Sequence, residues 1–270
     1  MNKLQPAFWK WTGVTLAVAA LLAFVILTPP PLLRKIDYIG AAVCHRMPTH
    51  SFFVDGHQLP VCQRCTGTFT GALTGLLFHW GILRRRRYQR FPALWMWGIL
   101  AACFAFWGLD GVNSMTTDQF GVSILGYAPQ PWLRLLTGTL MGMSMSVVLV
   151  PAFNLTLWKD GVDEHPLTGW KDLLLLILIE LAQAALIYTL EPWLLYPIAL
   201  YTTVGVVAMF ILLGAMVWVM ALGYDQRYAS WRQAWLPFLW GVAFAALVIG
   251  GMDAVRLYIL GSIDRIPGVM

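Results

Sequence analysis

The chain has 270 residues, of which 59% are hydrophobic and only 11% are charged, whereas soluble domains carry about 25% charged residues. This composition excludes a soluble globular protein and predicts a polytopic membrane protein, with a single membrane domain over residues 1–270. The net charge of +5 does not indicate a nucleic-acid partner, because the cytoplasmic loops of membrane proteins collect Lys and Arg. We therefore expect the lipid bilayer, and no nucleic acid, as a partner.

Apolar runs of roughly 20 residues, the length that spans a bilayer, recur about seven times along the chain. The predicted fold is therefore all-α, a bundle of about seven transmembrane helices. The first run is followed by Pro29–Pro31 and not by a small-residue cleavage site, so we expect a retained span and not a signal peptide. The expected spans are residues 9–28, 65–83, 92–109, 132–157, 172–190, 194–222 and 233–260.

A connector over residues 29–65 separates the first two spans. Within it, Leu32–Val43 is expected to form a short interfacial helix. The second span ends at the cluster Arg84–Arg87, and because basic residues stay on the cytoplasmic side, this cluster favours a cytoplasmic N-terminus. The connector, together with Asp110 and Arg134, is then expected on the outer face of the membrane.

Three of the four cysteines lie in this connector: Cys44, Cys62 and Cys65. The spacing Cys62-x-x-Cys65 is that of a metal knuckle or of a redox dithiol, and two thiolates at this spacing can ligate one tetrahedral ion. Cys44 and one histidine complete a Cys3His set, which favours zinc. Either His45 or His57 can supply the fourth ligand.

A disulfide is the competing interpretation, because the outer face of a membrane is oxidising. In that case Cys62 and Cys65 form a thioredoxin-type redox couple and Cys44 is the odd partner. Two arginines, Arg46 and Arg64, flank these thiols. A cation beside a thiol lowers its pKa and favours the thiolate; alternatively, the two guanidinium groups bind backbone carbonyls or lipid phosphates.

Asp110 is expected at the end of the third span, where Gly111 follows it. There it acts as a general base or orients a histidine beside a metal, or it forms an Asp-Gly turn with no chemical role. Arg134, one turn inside the fourth span, is expected to form an ion pair with Asp110.

Two further polar positions lie inside predicted spans. Glu180 lies mid-way along the fifth span with Gln183 on the same face, and it is a candidate functional carboxylate because an acid at the bilayer centre is costly. Asp253 and Arg256 are three residues apart in the last span, so they share a helix face and are expected to pair with each other.

A Cys-His-Arg element followed by Leu-Pro-x-Cys-x-Arg-Cys-x-Gly is the most specific pattern in the chain. It is formed here by Cys44-His45-Arg46, Ser51-Phe52 and Leu59-Pro60-Val61-Cys62-Gln63-Arg64-Cys65-Thr66-Gly67, with weaker matches at Asp110-Gly111 and at Arg134 with Thr137-Gly138. In this pattern the chain resembles a family of uncharacterised bacterial integral-membrane proteins, a domain of unknown function. The resemblance covers roughly residues 40–145.

The resemblance implies a protein of the bacterial plasma membrane with a Cys/His site, and it supplies no reaction. It implies that Cys44, His45, Cys62, Cys65 and Asp110 act as a unit, which favours His45 as the ligand. It also divides the chain into a family-like region, residues 1–145, and additional spans, residues 146–270.

Three functional hypotheses follow from these observations. In the first, the outer-face site binds zinc, either as a closed structural site or as a catalytic site with one position open to water and Asp110 as base. In the second, the chain is a thiol–disulfide redox protein that uses Cys62 and Cys65. In the third, it is an accessory subunit that joins other membrane subunits in a larger complex, and the motif serves only to stabilise the connector.

Overall fold

The structure, a computed structural model, describes residues 7–264. The predicted domain of residues 1–270 extends beyond this range, since residues 1–6 and 265–270 lie outside the described part. Within it the chain forms eight α-helices and one two-stranded sheet. These are α1 (Ala7–Leu27), α2 (Leu32–Val43), β1 (Ser51–Val54), β2 (His57–Cys62), α3 (Gln63–Leu77), α4 (Leu94–Phe120), α5 (Pro131–Leu157), α6 (Trp170–Tyr188), α7 (Leu195–Ala221) and α8 (Trp235–Leu260).

Five helices in the described range are long and apolar enough to cross a membrane. They are Ala7–Leu27, Leu94–Phe120, Pro131–Leu157, Pro192–Ala221 and Trp235–Leu260. The other two predicted spans coincide with α3 and α6, which differ from the five for identifiable reasons. Helix α3 has only 15 residues and is rich in Thr and Gly, whereas α6 carries Lys171, Asp172 and Glu180.

The helices define two ends of the molecule. The cysteine end carries Cys44, Cys62 and Cys65, and the arginine end carries Arg84–Arg87. At the arginine end, Arg85 lies 2.5 Å from the carboxylate of Asp172 at the start of α6. Because α3 runs from the cysteine end to the arginine end and α6 starts at the arginine end, these two helices run in opposite directions.

Helix α3 packs most extensively against α5, and glycines on both helices make this contact possible. A Cβ atom at Gly67 or Gly71 of α3 would collide with the backbone of α5, and one at Gly138 or Gly142 of α5 would collide with the backbone of α3. Small residues let helices approach closely in lipid. This packing fixes the start of α3, which carries two of the cysteines, against α5.

The expected interfacial helix Leu32–Val43 is confirmed as α2. The rest of the connector contains a hairpin that the sequence analysis did not predict, in which β1 and β2 pair antiparallel. Asp55 and Gly56 form its two-residue turn with φ values of 49° and 75°, and Asp-Gly is favoured where both turn residues need positive φ. The hairpin returns the chain to Cys62, beside Ser51.

The predicted end of the third span at Asp110 is wrong. Helix α4 continues to Phe120, so Asp110 lies inside a helix and not in an Asp-Gly turn. The helix continues because its polar residues have partners: Asp110 binds Arg64, and the Asn113 amide donates to the Tyr127 carbonyl at 3.1 Å. The lack of a side chain at Gly111 leaves room for the Arg64 guanidinium.

Candidate metal centre

Three sulphur atoms form a compact triangle at the cysteine end. The Sγ atoms of Cys44, Cys62 and Cys65 all lie within 4.8 Å of one another. Each sulphur comes from a different element: Cys44 follows the last turn of α2, Cys62 ends β2, and Cys65 lies in the first turn of α3. All four cysteines of the chain are free thiols, so this triangle, below called the sulphur triangle, is assembled by the fold alone.

Backbone amides point at the sulphur triangle. The Cys62 N–H donates to Cys44 Sγ at 3.1 Å, and the Arg46 N–H donates to the same atom at 3.5 Å. Arg46 has a φ of 56°, and this left-handed turn directs its amide back at the sulphur. Cys62 is also the N-cap of α3, where the helix dipole favours negative charge. These amides and the helix dipole therefore favour negative charge at the triangle, and a thiolate is the form of cysteine that ligates metals.

Hydrogen bonds among the three thiols make their acidities unequal. Hydrogen bonds from Cys44 and Cys65 lower the pKa of Cys62 well below the usual thiol range. The hydrogen bond that Cys44 makes to Cys62 raises the pKa of Cys44 to about 12. Without a metal, the negative charge of the triangle is therefore placed on Cys62.

The structure places His45 beside the sulphur triangle and His57 far from it. The His45 ring hydrogen-bonds with the Cys62 thiol, and its Nδ1 accepts from the Met47 N–H at 3.0 Å, which leaves Nε2 for a ligand. Its nitrogens are not within 4.8 Å of all three sulphurs, so the ring must move to complete a ligand set. His57 is exposed at the tip of the hairpin, about 17 Å along β2 from Cys62.

His50 also belongs to this site; it was not predicted as a candidate ligand, although it follows His45 closely in the chain. The two imidazole rings lie 5.4 Å apart, and His50 Nε2 is 2.7 Å from Asp118 Oδ2. Burial, followed by the charge of Arg134, lowers the pKa of His50. Both effects favour the neutral ring, which is the form of histidine that can ligate a metal.

Asp110 binds Arg64 and not Arg134. Arg64 Nη2 lies 2.5 Å from Asp110 Oδ2, and the Tyr127 hydroxyl donates to Oδ1 at 3.0 Å. Burial and this hydrogen bond raise the pKa of Tyr127. Arg134 lies instead 3.8 Å from Asp118, because α4 continues beyond Asp110 and presents that second aspartate to the start of α5. The predicted Asp110–Arg134 pair is therefore replaced by two pairs.

The Arg46 side chain is bound by two carboxylates. Its Nη2 lies 2.7 Å from Asp37 Oδ1, and its Nη1 lies 3.7 Å from Asp264. Burial raises the pKa of Asp37, and the Arg46 charge opposes this. Arg46 and Arg64 are both bound by carboxylates, so their side chains hold the connector and α3 in place.

Arg256 of α8 binds the connector at the sulphur triangle. Its guanidinium donates to the carbonyls of Ala41 at 3.0 Å, Cys44 at 2.7 Å and His45 at 3.0 Å. Asp253 and Arg256 interact through their charges, as their spacing predicts, but Asp253 Oδ1 has no hydrogen-bond partner within residues 7–264. Arg256 binds carbonyls instead because α2 ends beside it with unpaired C=O groups, as every helix does.

A groove of about 390 Å³ opens between α2 and α8 beside Cys44. His45 and Arg256 also line it, and the rest of its lining is apolar, formed by Ala41, Ala42, Val43, Met252, Val255, Ile259 and Leu260. Because His45 is exposed, the groove gives the sulphur triangle one accessible side.

The donor set fits a soft or borderline metal ion. Three thiolates and one imidazole are a known ligand set of structural zinc sites. An ion with Zn–S bonds of about 2.3 Å holds tetrahedral sulphurs about 3.8 Å apart, so the sulphurs have to approach by no more than about 1 Å. The arrangement is therefore chemically competent for zinc, with His45 as the nearest fourth donor.

Comparisons with known proteins match the part of the chain that contains the sulphur triangle. A family model described as "Predicted membrane protein (DUF2085)" matches residues 44–148. An uncharacterized protein of Methanocaldococcus jannaschii is 30% identical over 121 residues, which are 45% of this chain and 70% of that relative. The chain belongs to the DUF2085 family. The matched region of this family begins at the first cysteine of the sulphur triangle and ends within α5.

A second relative of this chain is an uncharacterized protein of Methanothermobacter thermautotrophicus. It is 50% identical over 36 residues, which are 13% of this chain and 32% of that relative. Both relatives are archaeal, so they do not support the bacterial origin that the sequence resemblance implied. No solved structure is significantly similar to the chain. The region matched by the family model does not include α6, α7 and α8. Glu180 and Arg256, which lie on α6 and α8, are therefore outside the matched region.

Proposed function

We propose that this protein is a membrane metalloprotein that binds one zinc ion through Cys44, Cys62 and Cys65, with His45 as the fourth ligand. The mutual approach of three sulphurs to within 4.8 Å carries the proposal. A disulfide needs only two of these sulphurs, whereas three sulphurs around one point, one of them held by two backbone amides, match a metal's demand for several thiolates.

The proposed zinc site is structural. Four protein ligands leave no position for a substrate or water, which is the mark of a structural site. Asp110, the predicted base, is held by Arg64 and Tyr127, so its carboxylate is already engaged and serves to fix α3 against α4. The ion would join the end of α2, the hairpin and the start of α3 into one rigid unit.

The proposed topology has seven spans, with α3 and α6 crossing beside the five apolar helices. Two observations support this topology: α3 and α6 run in opposite directions, and both helices pack against α5. The cluster Arg84–Arg87 favours a cytoplasmic arginine end and N-terminus, which would put the zinc site on the outer face. In this proposal, residues 146–270 are additional spans packed on the family-like region within one domain.

Metal analysis of purified protein tests the proposal. We expect about one zinc per chain in the wild type, the same amount in Cys103→Ser, and almost none in Cys62→Ser. Cys103 is a matched control because it is a free thiol in α4, outside the triangle. The proposal is overturned if the wild type holds no metal above the buffer level, or if Cys62→Ser retains as much as the wild type.

A thiol–disulfide function is the second candidate, and one observation favours it. Cys62 is a low-pKa thiol at the start of a helix, three residues before Cys65, as in redox dithiols. Peptide mapping of protein trapped with acid and alkylated separates the two functions. A Cys62–Cys65 disulfide in metal-free wild type supports the redox function, whereas three protected thiols that become reactive only after chelation support zinc.

A further inference from the structure

Glu180 is a buried carboxyl group with no hydrogen-bond partner. It lies mid-way along α6 and has no exposed surface. Neither Oε1 nor Oε2 has a donor within residues 7–264. Gly71 and Gly75 of α3 make the space for it, since Cβ atoms there would lie 3.3 Å from Oε2 and 3.9 Å from Oε1 respectively.

No charged group lies at the level of Glu180 on the helices that pack around it. The ionisable side chains of α3 with its continuation, of α5 and of α6 lie toward the two ends, and they are Arg64, Cys65, His79, Arg134, Lys171 and Asp172. Of the tyrosines nearby, Tyr188 and Tyr196 lie at the cysteine end, and Tyr201 of α7 is within electrostatic range of Glu180. An ionised carboxylate without a counter-charge is very costly in this setting, so the group must carry a proton.

A hydrogen-bonded group of polar side chains starts one turn from Glu180. Gln183 lies on the same face of α6, and its Oε1 accepts a hydrogen bond from the Thr74 hydroxyl. Thr74 Oγ1 lies 2.8 Å from the Tyr201 hydroxyl of α7. Gln183 and Tyr201 are both half-buried. The group therefore leads from the surroundings of the buried carboxyl to side chains that are partly exposed at the surface of the helix bundle.

We propose that Glu180, on the α6 span of the topology proposed above, is an intramembrane proton-binding site that exchanges its proton with water through Gln183, Thr74 and Tyr201. The step transfers one proton between water and the carboxyl and moves no electrons. Three observations carry it: the absence of any partner for either oxygen in the described range, the absence of a counter-charge there, and a hydrogen-bonded side-chain group adjoining a buried acid. This site is separate from the sulphur triangle and does not depend on zinc.

Selective labelling makes the carboxyl directly visible, because the chain contains only three glutamates: Glu164, Glu180 and Glu191. The other two are exposed. Full-length protein in lipid bilayers, labelled with ¹³C at the glutamate carboxyl, gives solid-state NMR signals that differ between neutral and ionised carboxyl groups. At neutral pH we expect one neutral signal beside two ionised ones, and an isotope shift of the neutral signal after transfer to D2O.

Variants assign the signal and test the path. Glu180→Gln should abolish the neutral signal, whereas Glu191→Gln should retain it. Tyr201→Phe and Thr74→Ala should slow the appearance of the isotope shift severalfold. The proposal is overturned if all three carboxyl groups of the wild type are ionised at neutral pH, if the neutral signal never shifts in D2O, or if neither path variant slows the exchange. The wild-type measurement decides the first two points without any variant.

Discussion

The guanidinium of Arg256 donates a 2.7 Å hydrogen bond to the backbone carbonyl of Cys44, 212 residues earlier in the chain. This bond joins the last helix to the sulphur triangle, although the family match ends at residue 148. The additional helices are therefore part of the support of the site, because they fix the end of α2 that presents Cys44.

Arg256→Gln should weaken metal binding. Removing the guanidinium leaves the carbonyls of Cys44 and His45 without this donor, so two of the proposed ligands are held less firmly. Loss of a group that positions a metal ligand typically lowers metal affinity by roughly 10- to 100-fold. Competition with a chromogenic zinc chelator measures the effect. Arg90→Gln is the control, because Arg90 binds an exposed aspartate, Asp163, at the arginine end. Equal zinc retention in both variants would contradict a supporting role for Arg256.

Asp110→Asn should destabilise the protein by about 3 kcal/mol, because it leaves the Arg64 guanidinium without its charge partner in a buried site. Asp110 has no exposed surface, and the Arg64 side chain is only 18% exposed. Thermal unfolding in detergent, followed by tryptophan fluorescence, measures the change. Asp163→Asn removes an exposed carboxylate from its arginine and should change the transition little. Similar shifts in the two variants would show that the Arg64–Asp110 pair is not important for stability.

Much of the architecture follows from hydrophobicity alone. The apolar runs predict where helices lie to within a few residues, and the expected helix Leu32–Val43 matches α2. The end of α4 could not be predicted in the same way. Asp110 interrupts the apolar run, and only tertiary partners such as Arg64 let the helix continue through it.

The candidate site also combines features that the sequence predicts with features that only the tertiary structure reveals. Sequence spacing brings Cys62 and Cys65 together, since both lie at the start of one helix. The approach of Cys44 to these two cysteines depends on the hairpin. The Asp55-Gly56 dipeptide is typical of a hairpin turn and could have predicted it. The pairing of Arg256 with backbone carbonyls has no sequence signature, because any carbonyl at a helix end is an equivalent partner.

Cys62 should stay reactive at a lower pH than an ordinary thiol in reduced, metal-free protein. Hydrogen bonds from Cys44 and Cys65 lower its pKa, so its thiolate persists below the usual thiol pKa of about 8.5 and is lost only as the pH falls through the lowered pKa. Cys44, with its pKa raised to about 12, should remain a thiol. Alkylation rates from mass spectrometry across pH measure both, and a Cys62 rate that rises mainly above about pH 8 would contradict this order.

Gly142→Ala should destabilise the α3–α5 contact by about 1–3 kcal/mol, the range for overpacking in a close-packed core. A Cβ atom at Gly142 would overlap the Thr68 carbonyl and lie 2.6 Å from the Ala72 nitrogen. Gly98→Ala in α4 is the matched control, since nothing lies within 4 Å of its Cβ position. The control should be neutral or slightly stabilising, because alanine favours helix more than glycine does. Thermal unfolding compares the two, and an unchanged Gly142→Ala protein would contradict the close approach.

The zinc ligand set is the central claim, and X-ray absorption at the zinc edge of the purified wild-type protein tests it most directly. The account predicts a four-coordinate ion with three sulphurs at about 2.3 Å and one nitrogen at about 2.0–2.1 Å, and the loss of the nitrogen shell in His45→Ala. A shell of oxygen and nitrogen ligands without sulphur, or protein without bound zinc and with a Cys62–Cys65 disulfide, would contradict it.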